Sequence, residues 1–426
     1  MKASLVFILI FMNVSSYAME LTESRAISIF LEKNLSLVAA RYDIEISQAA
    51  ELTASLWPNP NVLLDSQLNS FGENWNQKNT GGPAQQDVIV TIPLDVNGII
   101  KRKVKIAKFA TKGSEARFQS ALREGLYGMM DSLYKVQRLE REHELLQEKV
   151  QLLDKLIITL EKRIGSASNQ TLLQGRARLA LEDSKVEVQS NLMDQHEEKN
   201  KLRTYLLMET SEEITPNIIF KTQYSEKINP AELVKFAKEN RPDFIALDLF
   251  GQQVEHEMDL NKREIWDELS LQVGASRQNE VGARPGQVGS SQLPSALSWM
   301  VGVVFPIPIF DRNQGKVLQS KIQRNQVLVK ERLMGDVLAK DIETSIRKIE
   351  LTNSNLNRYQ THQLGNAKTV RDSALRQFGT RSISLIEYLD AIDSYHIAIH
   401  KYINAQYDLT SELLKLKLIS GQDIRP

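Results

Sequence analysis

The sequence contains the same order of predicted elements twice, with the copies about 210 residues apart. Each copy has a helix, a strand, a loop, a strand and a very long helix. The strands are predicted at 61–69 and 88–96 in the first copy, and at 269–276 and 299–309 in the second. Such a duplication predicts one structural unit used twice, and a unit of short strands and very long helices favours a conduit.

The four predicted strands alternate apolar and polar residues with a period of two. In the second strand, for example, Val88, Val90 and Ile92 share a face opposite Thr91. Each run has about 8–11 residues, close to the length that crosses a bilayer as a tilted strand with apolar side chains outward. The loops at 70–86 and 277–298 have the Gly, Asn, Gln and Ser content of external barrel loops.

Three tryptophans lie near the predicted strand ends. Trp57 and Trp266 occupy matching helix-to-strand junctions, and Trp299 is predicted to open the last strand. Aromatic side chains at both strand ends fit the two membrane–water interfaces, whereas core packing of large rings is the alternative. The matched placement favours an interfacial belt.

The predicted helices have coiled-coil spacing. Residues 98–164 contain no proline and would form roughly 100 Å of helix. A second long helix is predicted at 315–378, and the shorter helices are predicted at 22–56, 171–208, 231–265 and 385–419. Two short helices end to end match one long helix in length, so the pattern predicts an all-α coiled-coil helical barrel.

This pattern divides the chain into five segments. They are a signal peptide (1–18), a first repeat (19–208, with the helical hairpin 98–208), a linker (209–230, with a possible strand at 217–220), a second repeat (231–420, with the hairpin 315–419) and a C-terminal tail (421–426). Lys2, an apolar core and the small residues Ser16 and Ala18 are typical of a secretory signal, with a buried N-terminal segment as the alternative.

Composition excludes several classes of function. The 53 Lys and Arg residues balance the 53 Asp and Glu residues, so nucleic acid is not an expected partner. The chain has no cysteine and therefore no disulfide or thiolate site. It shows no nucleophile–base pattern and no phosphate-binding glycine loop, so we predict no enzymatic activity and no cofactor.

His396, His400 and Asp393 share a helix face, a spacing that is compatible with a metal site. His396 also occupies a predicted seam position between Ile392 and Ile399, which favours a packed or solvated histidine. We therefore predict no metal site.

Four strands cannot close on themselves, and open sheet edges are not tolerated in lipid. Two chains would give eight strands, whose interior fills with side chains, whereas three chains would give a twelve-stranded barrel with room for water and solute. The sequence therefore predicts a homotrimer that shares one transmembrane β-barrel.

Several motifs together resemble the TolC family of outer-membrane efflux channels over essentially the whole mature chain. They are VTIPLDVNG at 90–98, VVFPIPIFDRNQGK at 303–316, FGTRSISLIEYLDA at 378–391 and the weaker RIGSASNQTLLQGRA at 163–177. The 303–316 motif is most similar to the heavy-metal cation efflux subgroup of resistance-nodulation-division pumps.

The resemblance implies a mixed fold, in which the helical barrel continues into the β-barrel. It implies the outer membrane of a Gram-negative bacterium, with a long periplasmic extension. It also implies a passive exit duct in a tripartite efflux pump, whose partners are a periplasmic adaptor and, through it, an inner-membrane pump. The residues expected to contact the adaptor lie at the two helical turns: Gly165, Ser166, Gly379, Thr380, Arg381 and Ser382.

Glu387 and Asp390 align with acidic positions that line the closed entrance of such channels. They lie one helical turn apart, and in a trimer they would form carboxylate rings that favour cations. Solvated acidic residues on a helix face are the alternative. The strand-to-helix corners are expected to be shaped by Pro93, Gly98, Pro308, Asp311, Asn313 and Gly315, with Asp311 and Asn313 accepting from free amides at a helix start.

Two alternatives remain open at this point. A duct of the same fold could export drugs and other organic solutes, or proteins in type I secretion. A function of another class, a periplasmic coiled-coil scaffold or adaptor, would need no outward apolar strand faces.

Overall fold

The computed structural model describes residues 19–67, 85–162, 169–266, 268–278 and 296–425. The helices are α1 (Glu23–Lys33), α2 (Leu35–Ser55), α3 (Ile99–Lys162), α4 (Asn169–Leu206), α5 (Pro230–Asn240), α6 (Pro242–Arg263), α7 (Gln314–Arg358), α8 (Leu364–Gly379) and α9 (Leu385–Ser420). The strands are β1 (Met19–Leu21), β2 (Asn61–Gln67), β3 (Gln85–Pro93), β4 (Ile214–Pro216), β5 (Ser270–Gln278) and β6 (Ala296–Val304). The predicted signal peptide and the first helical turn, with Gly165 and Ser166, lie outside the described residues.

The chain forms two compact units, and each takes residues from both halves of the sequence. Unit 1 consists of the described residues within Met1–Arg41, Arg117–Phe244 and Met334–Pro426. Unit 2 consists of Tyr42–Ala116 and Ile245–Leu333.

Unit 2 contains a four-stranded sheet with the order β2-β3-β5-β6. All three pairings are antiparallel, and β2 and β6 are the edge strands. The register aligns Val62, Val90, Val273 and Val301 across the sheet, so they share one face. The opposite face has Asn61, Thr91 and Gln272 in register.

The helices of unit 2 contact each other in the order α2, α3, α6, α7. Ser47 on α2 lies 2.7 Å from Ser114 on α3, between the hydroxyl oxygens. The Arg102 guanidinium on α3 pairs with Asp259 on α6 at 2.8 Å, and the Asn261 amide of α6 donates to the Ser320 hydroxyl of α7 at 2.9 Å. Each helix of this row leads into or out of one strand of the sheet: α2 precedes β2, α3 follows β3, α6 precedes β5 and α7 follows β6.

Three hydrophobic clusters lie among the described residues of unit 1. One includes Phe30, Met129 and Leu202, a second includes Leu153, Leu181 and Ile392, and the third packs α5 and α7 against α9. A short parallel pair, β1 with β4, adjoins the first cluster. The strand predicted at 217–220 is wrong: the linker strand is Ile214–Pro216, and Ile218 and Phe220 are buried side chains of the first cluster.

Two predicted helices are each divided in two. The helix predicted at 22–56 breaks at Asn34, whose side chain accepts from the Leu37 amide and donates to the Tyr205 carbonyl. The helix predicted at 231–265 breaks at Arg241, which precedes Pro242 and has an extended backbone. A residue before proline is disfavoured in the helical conformation, which explains the second break.

Several strands begin and end at residues other than those predicted. The second strand begins at Gln85 and ends at Pro93, and the fourth runs from Ala296 to Val304, so 305–309 is not strand. Pro306 and Pro308 have no amide to donate to a ladder, which accounts for the early end. The loop boundaries predicted at 86 and at 277–298 were therefore wrong by a few residues. The long helix predicted from Gly315 is interrupted by one π-helical segment, Tyr359–Gln363.

Candidate functional site at the helical turn and the open sheet

The second helical turn, residues 380–384, closes on its own backbone. The Thr380 amide donates to the Arg376 carbonyl at 3.2 Å, and the Ser382 amide donates to the Gln377 carbonyl at 2.8 Å. The hydroxyl oxygens of Thr380 and Ser382 lie 2.9 Å apart. The turn is therefore a defined surface that presents short polar side chains and one arginine.

Arg381 occupies a conformation that usually requires glycine. Its φ is +62°, in the left-handed region at the end of α8. Glycine adopts this conformation without steric cost, whereas another residue is strained there by on the order of 1 kcal/mol. The exposed arginine is thus held in a strained position. Strain of this kind is frequently found at functional surfaces.

Glu387 has a structural role that the sequence analysis did not identify. Its carboxylate accepts from the Ser384 amide at 2.7 Å, and the Ser384 hydroxyl accepts from the Glu387 amide at 3.2 Å. These two bonds form a capping box at the start of α9. The bonds from Ser384 lower the pKa of Glu387, so the carboxylate stays ionised.

Asp390 lies on the first turns of α9 and is exposed. Within the described part of the chain its carboxylate forms no hydrogen bond or ion pair. Unlike Glu387, Asp390 is therefore available to an ion.

The capping role of Glu387 could have been predicted from the sequence, because the pattern S-x-x-E before an apolar run is typical of a capping box.

An apolar layer lies behind the turn. The Phe378 and Tyr388 rings are stacked with centroids 4.8 Å apart. A cavity of 290 Å³ opens beside them and is lined partly by Leu160, Leu173 and Arg381. The turn therefore offers an apolar recess next to a positive charge.

Charged side chains also link the helices of unit 1 near this apolar layer. The Lys149 ammonium on α3 binds Glu187 on α4 at 3.3 Å and Asp393 on α9 at 3.1 Å. The Arg371 guanidinium on α8 lies 3.9 Å from the centre of the Tyr395 ring on α9. The helices of unit 1 therefore contact each other in the order α4, α3, α9, α8.

His396 is buried in this region and is 5% exposed. Neither of its ring nitrogens has a hydrogen-bond partner among the residues that the structure describes. Burial, assisted by the nearby Lys149 charge, lowers its pKa to about 4, so the ring is neutral at neutral pH. It borders a groove of 660 Å³ between α3, α4 and α9.

His400 and Asp393, which share the helix face of His396, are paired with other side chains. His400 lies 3.2 Å from the Glu142 carboxylate, and Asp393 is paired with Lys149. The described ranges contain no group of three or more such side chains that could hold a metal ion.

The apolar face of the sheet in unit 2 is exposed to solvent. Leu64 is 74% exposed, Val301 is 75% exposed and Trp299 is 78% exposed. Trp57 and Trp266 are also exposed, so none of the three tryptophans is a core residue. Trp299 is the fourth residue of β6, and the prediction that it opens this strand was wrong.

The first strand-to-helix corner depends on Asp95 and Gly98. The two carboxylate oxygens of Asp95 accept from the Ile99 and Ile100 amides at 2.6 and 3.1 Å, which caps α3. Gly98 has a φ of +63°, and Pro93 is the last residue of β3. Asp95 was missed, although an acidic side chain before a helix is an expected cap.

The second corner uses different residues for the same turn. Asp311 accepts from the Asn313 amide at 2.8 Å. Asn313 was predicted to accept at the helix start, but its side chain donates to the Asn261 carbonyl at 3.1 Å. Asn313 also holds the positive φ of 58°, while Gly315 lies inside α7 and Pro308 lies four residues beyond β6.

No protein-family profile matches the sequence, and no curated protein is similar to it. Solved structures are similar in fold. CusC, whose structures concern folding and transmembrane channel formation, has a TM-score of 0.76 at 14% identity, covering 94% of this chain and 92% of CusC. The outer-membrane channel MtrE of Neisseria gonorrhoeae, in its open state, has 0.73 at 15%, covering 95% and 89%. The outer-membrane channel CmeC of Campylobacter jejuni has 0.71 at 13%, covering 94% and 85%.

The chain has the fold of these channels. At such low identities the likeness establishes the fold alone, and it confirms the helix-rich architecture that the resemblance implied. Among the described helices, none has the apolar length that is needed to cross a membrane.

Proposed function

We propose that three copies of this chain form the outer-membrane channel of a tripartite efflux pump. The observation that carries the proposal is the open sheet of unit 2, which has an exposed apolar face and ends in the edge strands β2 and β6. An apolar patch of this kind marks a membrane or protein interface, and the fold is that of outer-membrane channels. The exposed tryptophans support a lipid interface.

The strand directions support closure with further copies. The four strands alternate in direction from β2 to β6, so β6 of one copy meets β2 of the next copy antiparallel. Each added copy therefore preserves the alternation that a bacterial barrel requires. Three copies give twelve strands, which leave an aqueous interior lined by the polar face.

The helical turn supports the periplasmic part of the proposal. The strained Arg381, with Thr380 and Ser382 and the apolar recess beside them, is a suitable surface for an adaptor protein. Asp390, with the ionised Glu387, would form rings of carboxylates at the entrance of a trimer. Energy would come from the inner-membrane pump reached through that adaptor.

Heavy-metal cations are the first substrate to test, because the 303–316 corner is most similar to that subgroup. The decisive experiment adds purified protein to a planar lipid bilayer and records conductance. We expect discrete, cation-selective openings that become less selective when Asp390 is replaced by Asn. A protein that inserts without conducting would contradict the channel, and metal sensitivity unchanged by gene deletion would move the substrate to organic solutes or proteins.

A further inference from the structure

The groove between α3, α4 and α9 has an apolar floor and a strongly acidic lining. Its volume is 660 Å³, and buried side chains such as Leu145, Leu153 and Ile392 form the floor. The lining carries one ammonium group, that of Lys149, and five carboxylates: Glu142 on α3, Asp183, Glu187 and Asp194 on α4, and Asp393 on α9. Such a surface favours a cation that also has an apolar part.

Two of the five carboxylates are not neutralised within the chain. The other three lie within ion-pair distance of Arg138 or Lys149. Asp183 and Asp194 are exposed and have no ion pair or hydrogen bond among the residues that the structure describes. They are 11 residues apart, about three turns, so they share a face of α4 and lie about 16 Å apart along its axis. The groove therefore has an unpaired negative charge toward each end.

His396 gives a second, independent indication of a ligand. It belongs to the lining and is 5% exposed, and within the described ranges neither ring nitrogen has a hydrogen-bond partner. A neutral imidazole has one N–H donor and one nitrogen that accepts, and a buried polar atom without a partner is costly. An ammonium group in the groove would donate to the accepting nitrogen.

His396 lies between the two unpaired carboxylates along the groove. The Lys149 ammonium contacts both Glu187 and Asp393, which places these two residues at the same level. Both α4 and α9 run antiparallel to α3, and therefore in the same direction. His396, three residues after Asp393, is thus level with residue 190 of α4. The groove presents a carboxylate, an imidazole and a second carboxylate in that order.

The spacing and the side-chain types select the chemistry of the cation. Asp183 and Asp194 are too far apart to coordinate one metal ion. The described residues that line the groove include no Phe, Tyr or Trp, so it offers no aromatic ring to a planar or quaternary cation. A linear aliphatic polyamine instead places ammonium groups at intervals and packs its methylene groups on an aliphatic floor, as a lysine stem does.

We propose that this groove binds a linear aliphatic polyamine of tetraamine length, with its terminal ammonium groups at Asp183 and Asp194 and an inner one donating to His396. Spermine has the charges and the extended length for this arrangement. The bound ligand would link α4 to α9 and stabilise unit 1, since it binds the folded chain alone. The site lies within one copy, so it goes beyond the proposed channel and does not require a trimer.

Isothermal titration calorimetry on the full-length protein in detergent tests the site. Spermine is titrated at about 0.15 M salt, which screens attraction to scattered surface charges. We expect one spermine bound per chain. The diamine putrescine, which cannot reach both aspartates, and Mg²⁺ should each bind roughly tenfold more weakly or worse. An absence of spermine binding, or equal binding of putrescine, would overturn the proposal.

A pair of matched variants locates the ligand. Asp183→Asn/Asp194→Asn should weaken spermine binding by roughly tenfold or more, and His396→Leu by a smaller factor. The control Glu182→Gln/Glu197→Gln removes the same charge from α4 at exposed positions outside the groove lining, and should bind as the wild type does. Wild-type affinity in the groove variant, or an equal loss in the control, would contradict the site.

Stoichiometry separates this inference from the proposed function. One spermine per three copies, or binding abolished by Asp390→Asn, would place the ligand at the channel entrance and overturn the groove. A monomeric protein that binds one spermine per chain would support the groove and contradict the trimer. A conducting trimer whose spermine affinity is unaffected by Asp183→Asn/Asp194→Asn would do the reverse.

Discussion

The two units end their rows of helices differently. In unit 2 the α2 end exposes Tyr42, Ile46 and Leu52, and the α7 end exposes Ile322, Val329 and Leu333. In unit 1 the α4 end has an apolar stripe at seven-residue spacing, Leu172, Leu179, Val186 and Met193, which are 62–75% exposed. The other end, formed by α7 and α8, exposes basic side chains (Arg358, Lys368 and Arg376) together with apolar ones (Leu351, Val370 and Leu375, which are 52–64% exposed).

This difference indicates two kinds of contact between copies. An apolar seam on both sides, as in unit 2, is stabilised by burial of about 25 cal/mol per Å² and is not weakened by charge screening. A contact of an apolar stripe with long basic side chains, as unit 1 would make, depends on methylene packing and on screened charges. We expect unit 2 to keep the copies joined while the helical turns of unit 1 can separate.

The largest effect is expected from a charge on the open apolar face of the sheet. Val301→Arg should prevent assembly in the outer membrane, because an arginine on the lipid side of a barrel costs roughly 2–4 kcal/mol per copy. The matched control is Ser298→Arg on the other face of β6, which should still assemble. Membrane fractionation measures both, and equal recovery of the two variants would contradict the assignment of the faces.

A comparison of two helix faces tests the difference between the units. Ile322→Glu in unit 2 should dissociate the trimer, because it places an acid in an apolar seam and removes about 1.5–3 kcal/mol of burial per copy. Leu179→Glu in unit 1 should leave the trimer intact, because the exposed Arg358, Lys368 and Arg376 can pair with the introduced carboxylate. Light scattering in detergent at low and high salt distinguishes them; dissociation by Leu179→Glu alone would reverse the comparison.

The third prediction concerns acid and unit 1. The pKa of His396 falls from its ordinary 6.5 to about 4 in the folded chain, so the folded state favours the neutral ring. Its contribution is therefore present above pH 6.5 and is lost as the pH falls toward 4, by on the order of 3 kcal/mol. Lys149 and Arg371 oppose the protonated ring, and Asp393 favours it.

Hydrogen exchange measures this effect if rates are corrected for the intrinsic pH dependence. Amides of α9 near His396 should lose protection between pH 6.5 and 4 in the wild type and much less in His396→Leu. Amides around Ser47 and Ser114 in unit 2 serve as the internal control. Equal loss of protection in the wild type and the variant would exclude His396 as the acid-sensitive group.

The smallest expected effect distinguishes the helix-capping role of Glu387 from the role of its charge at the channel entrance. Ser384→Ala should lower the stability of α9 by about 1 kcal/mol and leave ion selectivity unchanged. Glu387→Gln keeps an acceptor for the Ser384 amide but loses the charge, so it should reduce cation selectivity with little change in stability. Thermal unfolding and reversal potentials measure the two properties. If both variants alter stability alone, Glu387 is only a cap.

Periodicity in the sequence predicted the elements far better than it predicted their ends. The alternation of Val88, Val90 and Ile92 fixes a strand, and the absence of proline from 98–164 allows one long helix. The breaks at Asn34 and Arg241 were missed because both lie within continuous helical spacing. Their causes are a side chain bound to the distant Tyr205 carbonyl, and a proline after Arg241 whose effect was overlooked.

The site residues were predictable to a lesser extent. Arg381 and Asp390 lie where the turn motif indicated, but the strain at Arg381 has no signature in the sequence. The capping bonds of Glu387 and the cap at Asp95 could have been recognised from local patterns. The Lys149 bridge to Glu187 and Asp393 joins three helices, and no local pattern in the sequence indicates it.

Electron cryomicroscopy of the full-length protein in lipid nanodiscs tests the central claim most directly. We predict a three-fold particle in which twelve strands cross the disc, β6 of each copy pairs with β2 of the next, and Val301 and Trp299 face lipid. A monomer, or a particle in which the four-stranded sheet lies outside the disc, would contradict this account.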